Sequence, residues 1–106
     1  MSVDRFREIR VGDVAEVQRT ISAADVEAFV RMTGDDNPVH VDDAFARAAG
    51  VGGRVVHGML TAAFISTVIG TRLPGPGALW YEQHVRFLRP VRIGETIRVR
   101  ATVKQR

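Results

Sequence analysis

The 106 residues, 45% apolar and 25% charged, have the make-up of a globular chain and allow one domain at most, since domains run to ~100–150 residues. The absence of cysteine excludes disulfides, thiolate metal sites and cysteine nucleophiles. No stretch reaches the ~20 apolar residues of a membrane-spanning helix and none reads as a secretory leader, so a cytoplasmic protein is expected.

The formal net charge of +3 is unevenly spread. Residues 1–70 carry seven Arg against ten Asp and Glu, whereas residues 71–106 carry eight Arg or Lys against two Glu. A cationic C-terminal third suits an anionic cofactor tail, an acidic carrier protein or nucleic acid; it is equally what a solvated strand face would show. A chain this short buries only about two-thirds of its unfolded surface, which favours a partner subunit.

In chain order, residues 1–21 alternate weakly around Phe6, Ile9, Val11, Val14 and Val17, the pattern of one or two strands. Ser22 then opens a helix: its hydroxyl can cap the first turn, and Asp25 completes a capping box. Val26, Phe29 and Val30 form one apolar face, and Gly34 is placed to end the helix in a left-handed conformation. After the turn Gly34-Asp35-Asp36-Asn37-Pro38-Val39-His40, residues 42–49 read as a short helix stopped by Gly50. From Met59 to Thr71 the sequence is apolar nearly all round, which predicts a helix buried on most sides. Residues 73–77 (LPGPG) break the chain. Residues 78–88 are a strand candidate, followed by a turn at Arg89-Pro90. In residues 96–104, Ile97, Val99, Ala101 and Val103 alternate with Arg98, Arg100, Thr102 and Lys104, the pattern of a strand with one face in water. A long helix followed by antiparallel strands predicts an α+β fold with the sheet around the helix.

The turn holds the densest chemistry. Pro38 fixes its own φ and pushes Asn37 toward extended backbone, while Asn37 can close an Asx turn. Such a turn can hold Asp35 and His40 with converging side chains, a plausible acid–base pair acting on one water. The plainer reading is a helix end finished by Asp and Asn, with His40 beginning a strand. His57 and Gly58 stand where the apolar helix begins. Its free N–H groups suit an oxygen gaining negative charge, and Gly58 would let a substrate approach the backbone. Tight packing explains Gly58 equally well, and a hydrogen-bonded structural role explains His57. The spacing of His40, His57 and His84 matches no compact metal motif, and neither a nucleophile elbow nor a phosphate-binding loop is present, so neither metal nor cofactor is expected. The basic C-terminal third lacks the interleaved aromatics of a nucleic-acid platform.

Residues 34–60 (GDDNPVHVDDAFARAAGVGGRVVHGML) resemble the MaoC-like dehydratases and (R)-specific enoyl-CoA hydratases. The matching positions are Asp35, Asn37, Pro38, His40, Asp42, Phe45, Ala46, His57, Gly58 and Met59, and the likeness extends from about Val11 to the C-terminus. The resemblance implies a hot-dog fold, an antiparallel sheet curled around one long central helix, in a single domain over residues 1–106 that associates as a homodimer or larger oligomer. It implies reversible syn addition of water to a trans-2-enoyl thioester of coenzyme A or acyl carrier protein. Asp35 and His40 would then hold the water and Gly58 N–H the enolate oxygen. Asn37 would orient the pair, and His57, Leu60 and Phe64 would meet substrate. Two departures accompany it. Ala63 stands where some hydratases carry serine, leaving Ser66 or Thr67 as substitutes. The chain also ends just after the last strand, where relatives continue with a hairpin, so a partial chain or a strand supplied by a partner is expected. A hot-dog thioesterase, or a non-catalytic subunit that binds acyl-CoA or a carrier protein, is the alternative.

Overall fold

In the order of the chain, the computed structural model, which describes residues 5–106, has α1 (Arg5–Glu8), β1 (Val14–Thr20), α2 (Ala23–Thr33), α3 (Pro38–Val41), α4 (Asp43–Ala48), α5 (Gly58–Thr71) and β2 (Thr96–Thr102). β1 and β2 pair as a two-stranded antiparallel sheet. The architecture is α+β, as the pattern of elements predicts. No helix among the described residues is long and apolar enough to cross a membrane. The chain divides into two compact units.

The first unit holds the N-terminal stretch through Gln18, residues 62–85 and residues 98–106. Here the strand ends are tied by Gly12 N–H to Val103 O at 2.8 Å and Val103 N–H to Asp13 O at 2.9 Å. Arg98 and Glu16 pair across the strands at 2.8 Å. The alternation in β2 is as read from the sequence: Val99 and Ala101 are half-buried, while Arg98, Arg100 and Thr102 are exposed. Among the described residues, Ile9, Ala62 and Val68 are this unit's buried apolar side chains.

The second unit comprises residues 19–61 and 86–97. Its core contains Ile21, Val26, Ala46, Val55 and Val56. The capping box forms as expected: Asp25 N–H donates to Ser22 Oγ and Ser22 N–H donates to the Asp25 carboxylate, while Gly34 ends α2 at φ +78°. That φ is strained for any residue with a side chain. Asp42 caps α4, its carboxylate accepting from Phe45 N–H at 3.0 Å. Ile21 exchanges backbone bonds with Gly94 and Glu95, and Val56 N–H donates to Val91 O at 2.7 Å. These bonds, with the bridge between Val55 and Arg92, bring residues 89–93 beside the segment that precedes α5.

Four expectations are corrected. Phe6 lies in the short helix α1, and the first strand starts only at Val14. Residues 78–88 form no strand; a strand exists only where a ladder partner takes its backbone groups, and local composition cannot supply one. His40 sits in the single turn α3 rather than at a strand start, because Pro38 occupies its first position and Asn37 caps it. In α5 only Ala62 and Val68 are buried, and Met59 is 54% exposed; an all-round apolar helix needs cover on every side, and this chain supplies it on one.

Candidate active site

The turn after α2 is closed by short-range hydrogen bonds, and this closure positions Asp35 and His40. Thr33 Oγ1 donates to Phe29 O at 2.7 Å and accepts from Asp35 N–H at 3.2 Å. Asn37 Oδ1 accepts from Val39 N–H at 3.2 Å, starting α3, and Asn37 N–H in turn reaches Asp35 Oδ1 at 3.4 Å. The Asx turn expected of Asn37 is therefore present, and it delivers His40 one helical turn away from Asp35.

His40 is then fixed from outside the turn. Its Nδ1–H donates to Val55 O at 2.8 Å, which leaves Nε2 as the nitrogen with the lone pair. Arg54 Nε–H donates to His40 O at 2.7 Å, and Val55 N–H donates to Val39 O at 3.0 Å. Asp43 holds the Arg54 main chain through a 3.0 Å bond. A general base needs one committed nitrogen and one open one, and this arrangement provides both.

His57 is buried, at 2% exposure. Its ring stacks on that of His40 with centroids 3.7 Å apart and planes 25° apart, and the ring of Phe29 meets it at a tilt, centroids 4.7 Å apart. Its Nε2–H donates to the backbone carbonyl of Asp35 at 2.9 Å; the Asp35 carboxylate, at 4.0 Å, is beyond hydrogen-bond range. Its Nδ1 is buried and has no partner among the described residues.

One carboxylate oxygen of Asp35 and one ring nitrogen each of His40 and His57 lie within 4.8 Å of one another. A water accepting and donating bonds of ~2.8 Å spans roughly 4.5 Å between partners, so the Asp35 carboxylate and the His40 imidazole are close enough to share one water. The stacked imidazoles suit a metal poorly, since lone pairs in two nearly parallel planes do not converge on one point.

Gly58 begins α5, and the first helical bonds, from Leu60 and Thr61 N–H, are taken by His57 O at 3.0 and 3.2 Å. The N–H of Gly58 belongs to the first turn, whose donors have no partner inside the helix. A Cβ at Gly58 would stand 3.0–3.1 Å from the ring of Phe87. Glycine is needed here for close approach, and Phe87 covers the helix start.

These groups line a cavity of about 420 Å³. Asp35, His40, His57 and Gly58 form its polar wall, and Met59, Thr61 and residues 87–91 the remainder. Of the residues singled out in the sequence, Asp35, His40, His57 and Gly58 are brought together. Asn37 stands behind them as the cap of α3. Leu60 and Phe64 are not on the cavity wall; on a helix of 3.6 residues per turn they project elsewhere than Met59 and Thr61. The apolar part of the wall, Phe87, Leu88, Pro90 and Val91, was missed, whereas Arg89 belongs to the cationic C-terminal third read as suited to an anionic carrier. The only local signal was the apolar pair before Arg89-Pro90.

Comparison with known proteins gives a consistent result. The model of the MaoC like domain family matches residues 9–106. An (R)-specific enoyl-CoA hydratase of Rhodospirillum rubrum is 45% identical over 98 residues, covering 92% of this chain and 68% of that protein. A 3-hydroxybutyryl-CoA dehydratase of Methylorubrum extorquens is 43% identical over 100 residues, 94% of this chain and 64% of the relative. Among solved structures, the (R)-hydratase from A. caviae involved in PHA biosynthesis superposes with a TM-score of 0.90 at 34% identity, covering 93% of this chain and 75% of that one. The fold is the hot-dog fold. This chain spans about two thirds of the length of these two curated relatives.

Proposed function

We propose that this chain, which belongs to the MaoC-like domain family, is an (R)-specific enoyl thioester hydratase, a hydro-lyase that also runs in reverse as a 3-hydroxyacyl thioester dehydratase. The observation that carries this reading is that the Asp35 carboxylate and the imidazole of His40, whose Nδ1 is committed to Val55 O, line one cavity together with Gly58. Asp35 and His40 hold one water. In hydration they take a proton from it as its oxygen bonds to the β-carbon of the trans-2-enoyl group. The π electrons shift to the thioester oxygen as an enolate, which the Gly58 N–H at the start of α5 stabilises. The enolate then collapses as the pair returns a proton to the α-carbon on the same face, giving the (R)-3-hydroxyacyl thioester. Dehydration retraces these steps.

Coenzyme A is the thioester carrier that the relatives' names favour; acyl carrier protein is the other carrier to be tried. The acyl chain lies against Met59 and Phe87, with Arg89 at the same wall for an anionic carrier. A single domain, a homodimer and a cytoplasmic location complete the reading.

Loss of the conjugated enoyl-thioester absorbance with crotonyl-CoA tests it, comparing wild type with Asp35→Asn and His40→Ala. Turnover to the (R)-3-hydroxy product that collapses in both variants is expected. Release of free thiol would instead identify a thioesterase, and saturable binding without turnover a non-catalytic acyl-binding subunit.

A further inference from the structure

We infer that His57 is a positioning residue that holds Asp35 and His40 in register, through one hydrogen bond and one ring face. The inference rests on the reading of Asp35 and His40 as the acid–base pair. His57 touches both partners and exchanges no proton with the cavity. Its Nε2–H is committed to the carbonyl of Asp35 at 2.9 Å, which fixes the main chain from which the carboxylate projects. Its ring lies under that of His40 at 3.7 Å, which fixes the imidazole plane so that Nδ1–H meets Val55 O at 2.8 Å and Nε2 is left open. The ring of Phe29 meets that of His57 at 4.7 Å, so the stack is anchored on α2.

The unpaired Nδ1 is the clue that this ring is present for geometry. An imidazole at 2% exposure with one nitrogen lacking a partner is a less stable core element than an apolar ring of similar shape, because a buried acceptor loses its water bond for nothing. An apolar ring would keep the face but could not hold Asp35. An amide would keep the donor but could not hold the plane of His40. Histidine supplies both.

The two functions separate in two variants of the full chain. His57→Phe retains the ring face and removes the donor; His57→Gln retains a donor near the Nε2 position and removes the face. Both are expected to lower kcat for crotonyl-CoA by about 10–100-fold with KM changed less than about threefold, the signature of misplaced catalytic groups. His57→Phe removes the unpaired nitrogen and the bond to Asp35 O together, so its Tm is expected to stay within a few degrees of wild type while kcat falls. In ¹⁵N spectra His40 is expected as a single Nδ1–H tautomer in wild type and as a tautomer mixture in His57→Gln.

A kcat within about twofold of wild type in the folded variants overturns the inference. So does a kcat loss matched by a fall in Tm while the ¹⁵N pattern of His40 stays unchanged, which would mark His57 as structural only. If wild type fails to hydrate any enoyl thioester, the functional reading falls separately. The tautomer comparison still decides this one: a single His40 tautomer retained in His57→Gln refutes it.

Discussion

Two stretches of this chain contradict the simple rule that apolar segments are ordered inside and polar ones are loose outside. The turn at residues 34–40 is polar in five of its seven positions if Gly34 is counted, yet hydrogen bonds pin it at Asp35, Asn37, Val39 and His40. Residues 79–88 are rich in large apolar groups, yet Leu79 is 76% exposed, Tyr81 91% and Leu88 78%. Fixed geometry here follows from closing hydrogen bonds over short sequence distances, whereas apolar surface confers it only where another element arrives to cover it.

The contrast can be broken or sharpened by substitution. The largest effect is expected at the acid–base pair, where Asp35→Asn or His40→Ala lowers kcat/KM for crotonyl-CoA by about 10²–10⁴-fold, the usual worth of a positioned acid or base. Steady-state kinetics on folded protein check this, and a residual rate within tenfold of wild type would remove the pair from the mechanism.

Gly58→Ala comes next. The added methyl meets the Phe87 ring at 3.0 Å, so overpacking of about 1–3 kcal/mol is expected in denaturant titration. Phe87→Ala in the same chain should recover most of that loss. Absence of coupling in the double-mutant cycle would show that the ring swings away freely.

A smaller effect is expected at the start of α2. Ser22→Ala should cost about 1 kcal/mol of stability, with the turnover rate of the remaining folded protein unchanged. The bond from Ser22 N–H, followed by the Ser22 hydroxyl and the nearby Arg19 guanidinium, holds the Asp25 carboxyl below the usual carboxylate range. A lowered folded-state pKa contributes stability that is present above the unfolded value, near pH ~4, and is lost as pH falls through the folded value. Asp25→Asn should therefore flatten the acid limb of the stability curve below about pH 4 and leave the neutral region little changed in slope.

The smallest effect is expected in the apolar stretch. Leu79→Ser should change the stability of this chain by less than about 0.5 kcal/mol, since the side chain is mostly in water already. A loss above ~2 kcal/mol in a concentration-dependent assay would show that a second chain covers it.

What could be read from the sequence shares one property, which is locality. The capping box of Ser22 and Asp25, the left-handed stop at Gly34 and the Asx cap of Asn37 each depend on residues within four positions of one another. Local sterics and hydrogen bonding settle those before any tertiary contact forms. Asp35 and His40 fall in the same class, being five residues apart across a turn whose geometry Pro38 and Asn37 dictate.

The tertiary structure decided the rest. The bond from His40 to Val55 spans 15 residues and that from His57 to Asp35 spans 22, and Phe87 reaches Gly58 from a segment that reads locally as a strand. Such contacts depend on which elements meet, and periodicity carries no record of that. It is why residues 78–88 form no strand although they read as a strand candidate, and why the cavity wall is Met59 and Phe87 where Leu60 and Phe64 were expected. The sequence alone determined which side chains of the turn can act as acid and base, because side-chain type is intrinsic. Only the fold determined which nitrogen of His40 is open and what holds it there, because a tautomer is set by the partner it meets.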